Sequence, residues 1–177
     1  RRTNPGQRAP ALVGYSRGAS VAALVAARYP ESLSMLVLYG YPAAPRQPAP
    51  TPASPLREPN TPKAAASDFI TPGAASQAVI DAYVAHALKS NPIRVDWRHE
   101  EQFAFDPATI RAPTLMLYGA RDPLYSPEAV SKLFSALGTE DRTLVLLPNS
   151  DHAAHVENTH GSWLHAVVAF IERRMAG

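Results

Sequence analysis

Four short apolar segments recur along the chain, and each of them ends at a glycine or a proline. They read APALVG (residues 9–14), SMLVLYG (34–40), PTLMLYG (113–119) and TLVLLP (143–148). Continuous apolar runs of this length are typical of strands that are buried on both faces of a parallel sheet. Segments with helical composition or spacing lie between them, so the pattern predicts an α/β fold, with about four mostly parallel strands and flanking helices.

The segment between the second and third strands has a different composition. Eight of the 18 prolines fall between Pro42 and Pro62, and proline favours extended backbone and cannot donate to a helix or a sheet ladder. This stretch is predicted to be coil, either a semi-rigid linker or an arm leading into a lid. Residues 76–89 then carry apolar side chains at helical spacing, whereas residues 93–105 show no clean period.

A G-x-S-x-G motif, Gly14-Tyr15-Ser16-Arg17-Gly18, joins the first predicted strand to the first predicted helix. So tight a strand-to-helix turn is expected to hold its central residue in a strained backbone state with the side chain exposed. The sharp reversal predicts that Gly14 and Gly18 are needed for their lack of a side chain. The alternative is an ordinary glycine-rich turn with an incidental serine. A phosphate-binding loop is not indicated, because the sequence contains neither G-x-G-x-x-G nor G-x-x-x-x-G-K-[ST].

Two further strand ends carry residues that suit a serine at this turn. A serine hydroxyl is a poor nucleophile and needs a base, usually a histidine oriented by a carboxylate. Asp122 follows the third predicted strand, and His152 follows the fourth. The carboxyl ends of parallel strands meet at one edge of a sheet, where open α/β sheets place their sites. Ser16, Asp122 and His152 are therefore predicted to converge there.

These stretches resemble the C-terminal part of an α/β-hydrolase-fold serine hydrolase, from the nucleophile elbow onward. In that family the chain order is nucleophile, acid, histidine, and the nucleophile lies on a G-x-S-x-G elbow. The matching stretches are GYSRG (14–18), APTLMLYGARDP (112–123) and DHAAHVEN (151–158). The resemblance implies that Ser16 is the nucleophile, that His152 is the general base and acid, and that Asp122 is the orienting carboxylate.

The resemblance also divides the chain into a core and a cap. Residues 1–41 and 106–177 would form the hydrolase core, and the insertion at 42–105 would form a proline-rich arm and a helical cap that shapes the substrate pocket. Relatives have several strands before the nucleophile, so we expect an incomplete α/β-hydrolase fold. Its first strand would be an exposed sheet edge, open to an upstream segment or to a second copy of the chain.

At the elbow, the resemblance assigns one oxyanion donor to the backbone N–H of Arg17. Nothing in residues 1–15 resembles the loop that supplies the second donor in the family. A further departure is Asp151, which stands where relatives often have glycine. An acid beside His152 is expected to raise the pKa of that histidine.

Several other side chains compete for these roles. His155 is an alternative base, but His152 is favoured because the base usually follows the last strand directly. His155 and Glu157 are predicted to fix the loop through hydrogen bonds. They do not match the H-E-x-x-H pattern of a helical zinc site, so no metal is predicted. His160 and His165 are predicted to be surface or packing residues, and Asp106 and Asp141 lie at the wrong ends of their elements to be the acid. His86 and His99 could face substrate from the cap, although a solvated role is favoured. Tyr83, Trp97 and Phe103 could line an apolar pocket, although packing within the cap is favoured.

The resemblance implies a serine hydrolase that cleaves a small-molecule carboxylic ester or a related acyl substrate through an acyl-enzyme, without a cofactor. Thioesterases, C–C hydrolases, peptidases and perhydrolases also carry serine at the elbow and remain alternatives. The competing hypothesis is a catalytically incomplete fragment or a non-enzymatic remnant that needs an upstream segment or a partner.

Composition narrows the remaining classes of partner. Lys and Arg number 17 against 15 Asp and Glu, with no basic stripe, so nucleic-acid binding is not predicted. No apolar run approaches the roughly 18 residues that span a bilayer, so no membrane partner is predicted. The chain has no cysteine, which excludes disulfides and thiolate sites and favours a cytoplasmic location.

Overall fold

Four parallel strands form one sheet, and their order across the sheet is their order along the chain. The computed structural model describes residues 9–43, 57–95 and 105–173. Its strands are β1 (Ala11–Tyr15), β2 (Met35–Tyr39), β3 (Arg57–Pro59), β4 (Ile93–Val95), β5 (Thr114–Gly119) and β6 (Arg142–Leu147). The sheet order is β1-β2-β5-β6, with every neighbouring pair parallel, while β3 and β4 form a separate antiparallel pair. This confirms the predicted α/β fold class.

Helices cover both faces of the sheet. They are α1 (Arg17–Arg28), α2 (Pro62–Ala65), α3 (Gln77–Ser90), α4 (Pro127–Ala136) and α5 (His160–Glu172). Leu36 and Leu38 of β2 point into a core with α1 and α4, whereas Val37 and Tyr39 point into a second core with α5. Because both faces are buried, β2 is apolar at every position. Within the described ranges, no helix has the length and apolar character required to cross a membrane.

Serine side chains cap the N-termini of α3 and α4. The hydroxyl of Ser76 accepts a hydrogen bond from the N–H of Val79, and Ser126 accepts one from Ala129. Such caps satisfy backbone donors that have no partner within the helix. As a result, the helix predicted over 76–89 lies at Gln77–Ser90.

The insertion departs from the predicted coil at its described ends. Strand β3 pairs with β4, although the sequence predicts coil at the first segment and no period at the second. Three-residue strands are too short to show a period, and their partners lie more than 30 residues away in the chain. Pro62 starts α2 at a position where a helix tolerates proline. Most of the proline-rich arm, and Trp97, His99 and Phe103, lie outside the described residues.

Strand β1 is an edge of the sheet as described. Among the described residues it pairs only with β2. The side chain of Val13 on this strand is 44% exposed, and Val21 on the adjoining helix α1 is 48% exposed. This edge therefore presents both backbone hydrogen-bonding groups and apolar surface.

Candidate active site

The elbow serine occupies a backbone conformation that side chains rarely adopt. Ser16 has φ 52° and ψ −119°, and its N–H donates to the carbonyl of Tyr39 at 2.9 Å. It stands at the N-cap of α1, yet its hydroxyl makes no capping hydrogen bond. Serine at such a position ordinarily caps the helix. Here the turn directs the hydroxyl away from the helix, as the motif predicts, although Ser16 is half-buried and not fully exposed.

The two motif glycines differ in what the turn requires of them. A Cβ atom on Gly14 would lie 2.5 Å from the carbonyl oxygen of Gly18 and 2.6 Å from the Cα of Ala19. On Gly18, a Cβ would meet no described atom within 4 Å. The expectation that both glycines must lack a side chain is therefore wrong for Gly18. The crowding arises because the backbone of Gly18 approaches Gly14, while the Cβ position of Gly18 points away.

Three strand ends bring Ser16, His152 and Asp122 into one hydrogen-bonded chain. The Nε2 atom of His152 lies 2.9 Å from Ser16 Oγ, and Nδ1 lies 2.9 Å from Asp122 Oδ2. The second oxygen of Asp122 accepts the N–H of Leu124 at 2.8 Å. An ionised carboxylate can only accept, so Nδ1 carries the proton and Nε2 accepts from the serine hydroxyl.

The charged groups around His152 favour its protonated form. Burial works to lower the pKa of His152, but the hydrogen bond and the negative charge of Asp122 outweigh it, so the pKa is raised above its usual value. Asp68 and Asp151 add to this in the same direction. The contribution expected from Asp151 is therefore present, although Asp122 contributes more.

The loop that carries His152 rests on two residues that sequence reasoning missed. The hydroxyl of Tyr39 donates to the carbonyl of His152 at 2.6 Å. Gly40, with φ 58°, lies against the imidazole, and a Cβ there would be 2.9 Å from His152 Cε1. In the sequence Gly40 indicates only the end of a strand. A glycine directly after a predicted strand is the one signal that could have marked this contact.

The two predicted loop-fixing residues behave differently. Glu157 is buried and accepts the N–H of Asp151 at 3.1 Å and the N–H of Ala153 at 3.0 Å, as expected. His155 instead packs its ring 4.5 Å from that of Tyr15, and its buried Nδ1 has no hydrogen-bond partner. Burial lowers the pKa of His155. His155 Nδ1 therefore does not make the hydrogen bond that was expected, and the ring contributes aromatic packing.

The cap contacts the elbow at two points that the sequence did not indicate. The hydroxyl of Tyr15 donates to Asp68 Oδ2 at 3.2 Å, and a guanidinium nitrogen of Arg17 donates to the carbonyl of Val95 at 3.0 Å. Asp68 lies between α2 and α3, and its negative charge acts on both Tyr15 and His152. A carboxylate of the cap is therefore part of the surroundings of the site.

The remaining candidate residues lie apart from the Ser16–His152–Asp122 chain. Tyr83 packs edge-on against Phe69 within the cap, with ring centroids 5.2 Å apart. Asp106 caps a short 3₁₀ turn, and Asp141 pairs with Arg173. His86, His160 and His165 are exposed. Across the part of the chain that the structure describes, no cluster of three or more His, Asp or Glu side chains is arranged to hold a metal ion.

Comparisons with known proteins agree with this architecture. The serine aminopeptidase S33 family model matches residues 1–159. No curated protein matches the sequence significantly. Among solved structures, a serine hydrolase involved in carbazole degradation (CarC enzyme) is similar, with 18% identity and a TM-score of 0.64 over 97% of this chain and 66% of its own.

Two further solved structures share the fold. The monoacylglycerol lipase of Paleococcus ferrophilus is 19% identical, with a TM-score of 0.63 over 91% of this chain and 66% of its own. A thioesterase domain from the curacin biosynthetic pathway is 18% identical, with a TM-score of 0.58 over 95% of this chain and 68% of its own. The chain thus spans about two thirds of the length of these relatives, in agreement with an incomplete fold.

Proposed function

The chain belongs to the serine aminopeptidase S33 family of α/β hydrolases, and on that premise we propose that it is a serine hydrolase of carboxylic esters or related acyl substrates. The observation that carries this proposal is the pair of 2.9 Å contacts that links Ser16 Oγ through His152 to Asp122. A serine, a histidine and a carboxylate in this arrangement act as nucleophile, base and orienting group.

Acylation begins when Ser16 Oγ attacks the carbonyl carbon of the substrate while His152 Nε2 takes the hydroxyl proton. Asp122 keeps the remaining proton on Nδ1 and stabilises the imidazolium that forms. The tetrahedral intermediate then collapses, the bond to the leaving alcohol breaks, and Nε2 returns the proton to that alcohol. In the second half, His152 activates a water that attacks the acyl-enzyme and releases the acid.

The backbone N–H of Arg17 is the proposed donor to the developing oxyanion. It belongs to the first residue of α1, directly after the nucleophile, where helix N–H groups point out of the helix end and favour negative charge. One such donor is worth a factor of roughly 10²–10³ in rate. The mechanism requires no cofactor.

Labelling with a fluorophosphonate probe tests the proposal directly. The wild-type chain is expected to label, and Ser16→Ala is expected to abolish labelling. Ser162→Ala, at an exposed serine near the start of α5, is the matched control and should label like wild type. Equal labelling of Ser16→Ala, with its fold verified by circular dichroism, would remove Ser16 as the nucleophile.

The family name and one observation favour a second candidate, an aminopeptidase-like activity. Asp68 places a half-buried carboxylate beside the elbow residue Tyr15, which suits the charged amine of a substrate. A panel of acyl esters, thioesters and aminoacyl arylamides separates the candidates. Cleavage of free but not N-acetylated aminoacyl arylamides, lost in Asp68→Asn, would favour the peptidase.

The exposed edge of β1 supports a proposal about partners. We infer that a further strand pairs with this edge and that it is supplied by an upstream segment or by a second copy of the chain. We also propose that the substrate is a small molecule and that the protein acts in the cytoplasm. Unpaired strand edges readily template such pairing, and Val13 is 44% exposed there. Light scattering separates the sources: a dimer favours a second copy, while a monomer that labels only when joined to an upstream segment favours an incomplete fragment.

A further inference from the structure

A buried pair of carboxyl groups, from Asp151 and Glu157, lies directly beside His152. Asp151 is 1% exposed and Glu157 is 2% exposed. Glu157 accepts the backbone N–H of Asp151 and of Ala153, and the two carboxyl groups hydrogen-bond to each other. The pair thus closes the histidine loop (residues 151–158) on both sides of His152.

The pKa values of the two carboxyl groups are shifted in opposite directions. Burial raises the pKa of Glu157 to about 7, and its hydrogen bond to Asp151 adds to the effect. Burial also opposes ionisation of Asp151, but hydrogen bonds from Glu157 and Thr71 outweigh it and lower the pKa of that carboxyl. Below about pH 7, Glu157 is therefore the protonated member of the pair, and its hydrogen bond points to the Asp151 carboxylate.

Other titratable groups face this pair from neighbouring elements. Glu157 acts on Tyr39 of β2 when its carboxyl group is ionised, and the charge of Asp151 acts on His152 within the loop. His160, at the start of α5, contacts the carbonyl of Glu157 through Nδ1 at 2.9 Å. The cap reaches the pair through the N–H of Thr71.

The cap meets the histidine loop through residues 71–74, which join α2 to α3. Asp151 Oδ2 accepts the N–H of Thr71 at 2.7 Å. Asn158 donates its N–H to the carbonyl of Ala74 at 2.8 Å and its amide nitrogen to the carbonyl of Gly73 at 3.0 Å. Of these contacts, only the one at Asp151 involves a charged group and stands next to His152. Hydrogen bonds to charged groups are the stronger ones.

We propose that Asp151 is a positioning residue, which couples the placement of cap residues 71–74 to the orientation of His152. Its carboxylate binds the cap, and its backbone N–H is fixed by Glu157. The next residue, His152, is fixed at its carbonyl by Tyr39. A shift of residues 71–74 is therefore transmitted to the backbone that carries the imidazole. The kinetic part of this inference rests on the proposed function, while the structural part does not.

Hydrogen exchange tests the coupling without any need for activity. In Asp151→Ala, exchange at the amide of Thr71 is expected to rise by about tenfold or more, as for loss of a hydrogen bond to a charged group. In Asp151→Asn, the side-chain oxygen can still accept, so most protection is expected to remain. The matched control is Asp81→Asn, an exposed acid of α3 that bonds Gln77 and should leave exchange at Thr71 unchanged.

A second variant approaches the same contact from the cap. Thr71→Pro removes the donor N–H and leaves the histidine loop intact. Because Pro72 has no amide proton, exchange is followed at Gly73 and Ala74, which should lose protection in both Thr71→Pro and Asp151→Ala if the contact with Asp151 holds this segment in place. Unchanged exchange in both Asp151→Ala and Thr71→Pro would overturn the proposal.

Kinetics then separate positioning from charge. Both Asp151 variants remove a negative neighbour of His152, so in both the pKa of the acid limb of kcat/KM should fall. Only Asp151→Ala loses the cap contact, so only it should lose kcat, by about tenfold to hundredfold. Equal losses of kcat in the two variants would show a charge effect alone and refute the coupling. If wild type neither labels nor turns over while exchange behaves as expected, the proposed function fails and the contact stands.

Discussion

The imidazole of His152 lies against the backbone of Gly40, so closely that a Cβ on Gly40 would be 2.9 Å from His152 Cε1 and 3.0 Å from Nδ1. Gly40 also has φ 58°, which L side chains rarely adopt. Space and backbone conformation together require glycine here, beneath the ring that links Ser16 to Asp122.

Gly40→Ala is therefore expected to displace the imidazole and to strain the turn. Misplacement of the base should lower kcat/KM by about a hundredfold, and the left-handed backbone should cost about 1–2 kcal/mol of unfolding free energy. The control is Gly161→Ala on α5, where a Cβ meets no described atom within 4 Å. Ester hydrolysis and urea unfolding of both variants check this, and full activity in Gly40→Ala would contradict it.

The pKa of His152 fixes the direction of the pH dependence. The base must be neutral, and its pKa is raised because Asp122 outweighs the effect of burial. Activity in kcat/KM should therefore rise with pH through a midpoint above about 6.5, the ordinary value for histidine. Asp122→Asn removes the largest of the effects that oppose burial, so the midpoint should move down while kcat falls by about 10⁴. A wild-type midpoint below the ordinary value would contradict this assignment.

The raised pKa of Glu157 leads us to expect that the free energy of unfolding declines as pH rises. Its pKa is about 7 in the folded chain, against about 4.3 when exposed, so folding favours the protonated form. This contribution is complete below the unfolded value and is lost as pH rises through the folded value. The melting temperature of wild type should fall relative to Glu157→Gln between about pH 4 and pH 7. Parallel curves for the two proteins would show that Glu157 is not protonated in the fold.

Substitution by alanine is expected to change the free energy of unfolding in opposite directions at the two elbow glycines, Gly14 and Gly18. Gly14→Ala places a Cβ 2.5 Å from the carbonyl of Gly18, and overpacking of this kind costs about 1–3 kcal/mol. Gly18→Ala meets open space in the described residues and lies in α1, where alanine is favoured over glycine by about 0.5–1 kcal/mol. Chemical denaturation of the two variants gives the comparison. Equal destabilisation would restore the steric role that the motif suggests for Gly18.

The sheet could be predicted from the sequence because strands buried on both faces leave continuous apolar runs. The run over 34–40 became β2, whose alternate residues enter two different cores. Ser16, Asp122 and His152 could be selected for the same reason, since each follows a predicted strand and parallel strands end at one edge. The strand topology alone was enough to predict that these three residues lie close together.

The missed features depend on approaches between distant segments. Strands β3 and β4 have three residues each, and their pairing leaves no periodic signal. Asp68 carries no motif and reaches the site only because the cap folds over Tyr15. Gly18 was misjudged because the direction of a Cβ depends on the backbone path, which the motif alone does not give.

The cap is seated on the core largely through its own main chain. Thr71 contributes an amide N–H, Gly73 and Ala74 contribute carbonyls, and Val95 contributes a carbonyl to Arg17. The groups that complete these bonds all belong to the core: the side chains of Asp151, Asn158 and Arg17, and the backbone N–H of Asn158. Apart from Asp68, whose side chain accepts from Tyr15, cap side chains can therefore change without breaking these contacts. The surface of the cap is free to diversify during evolution while its placement beside Ser16 is inherited unchanged.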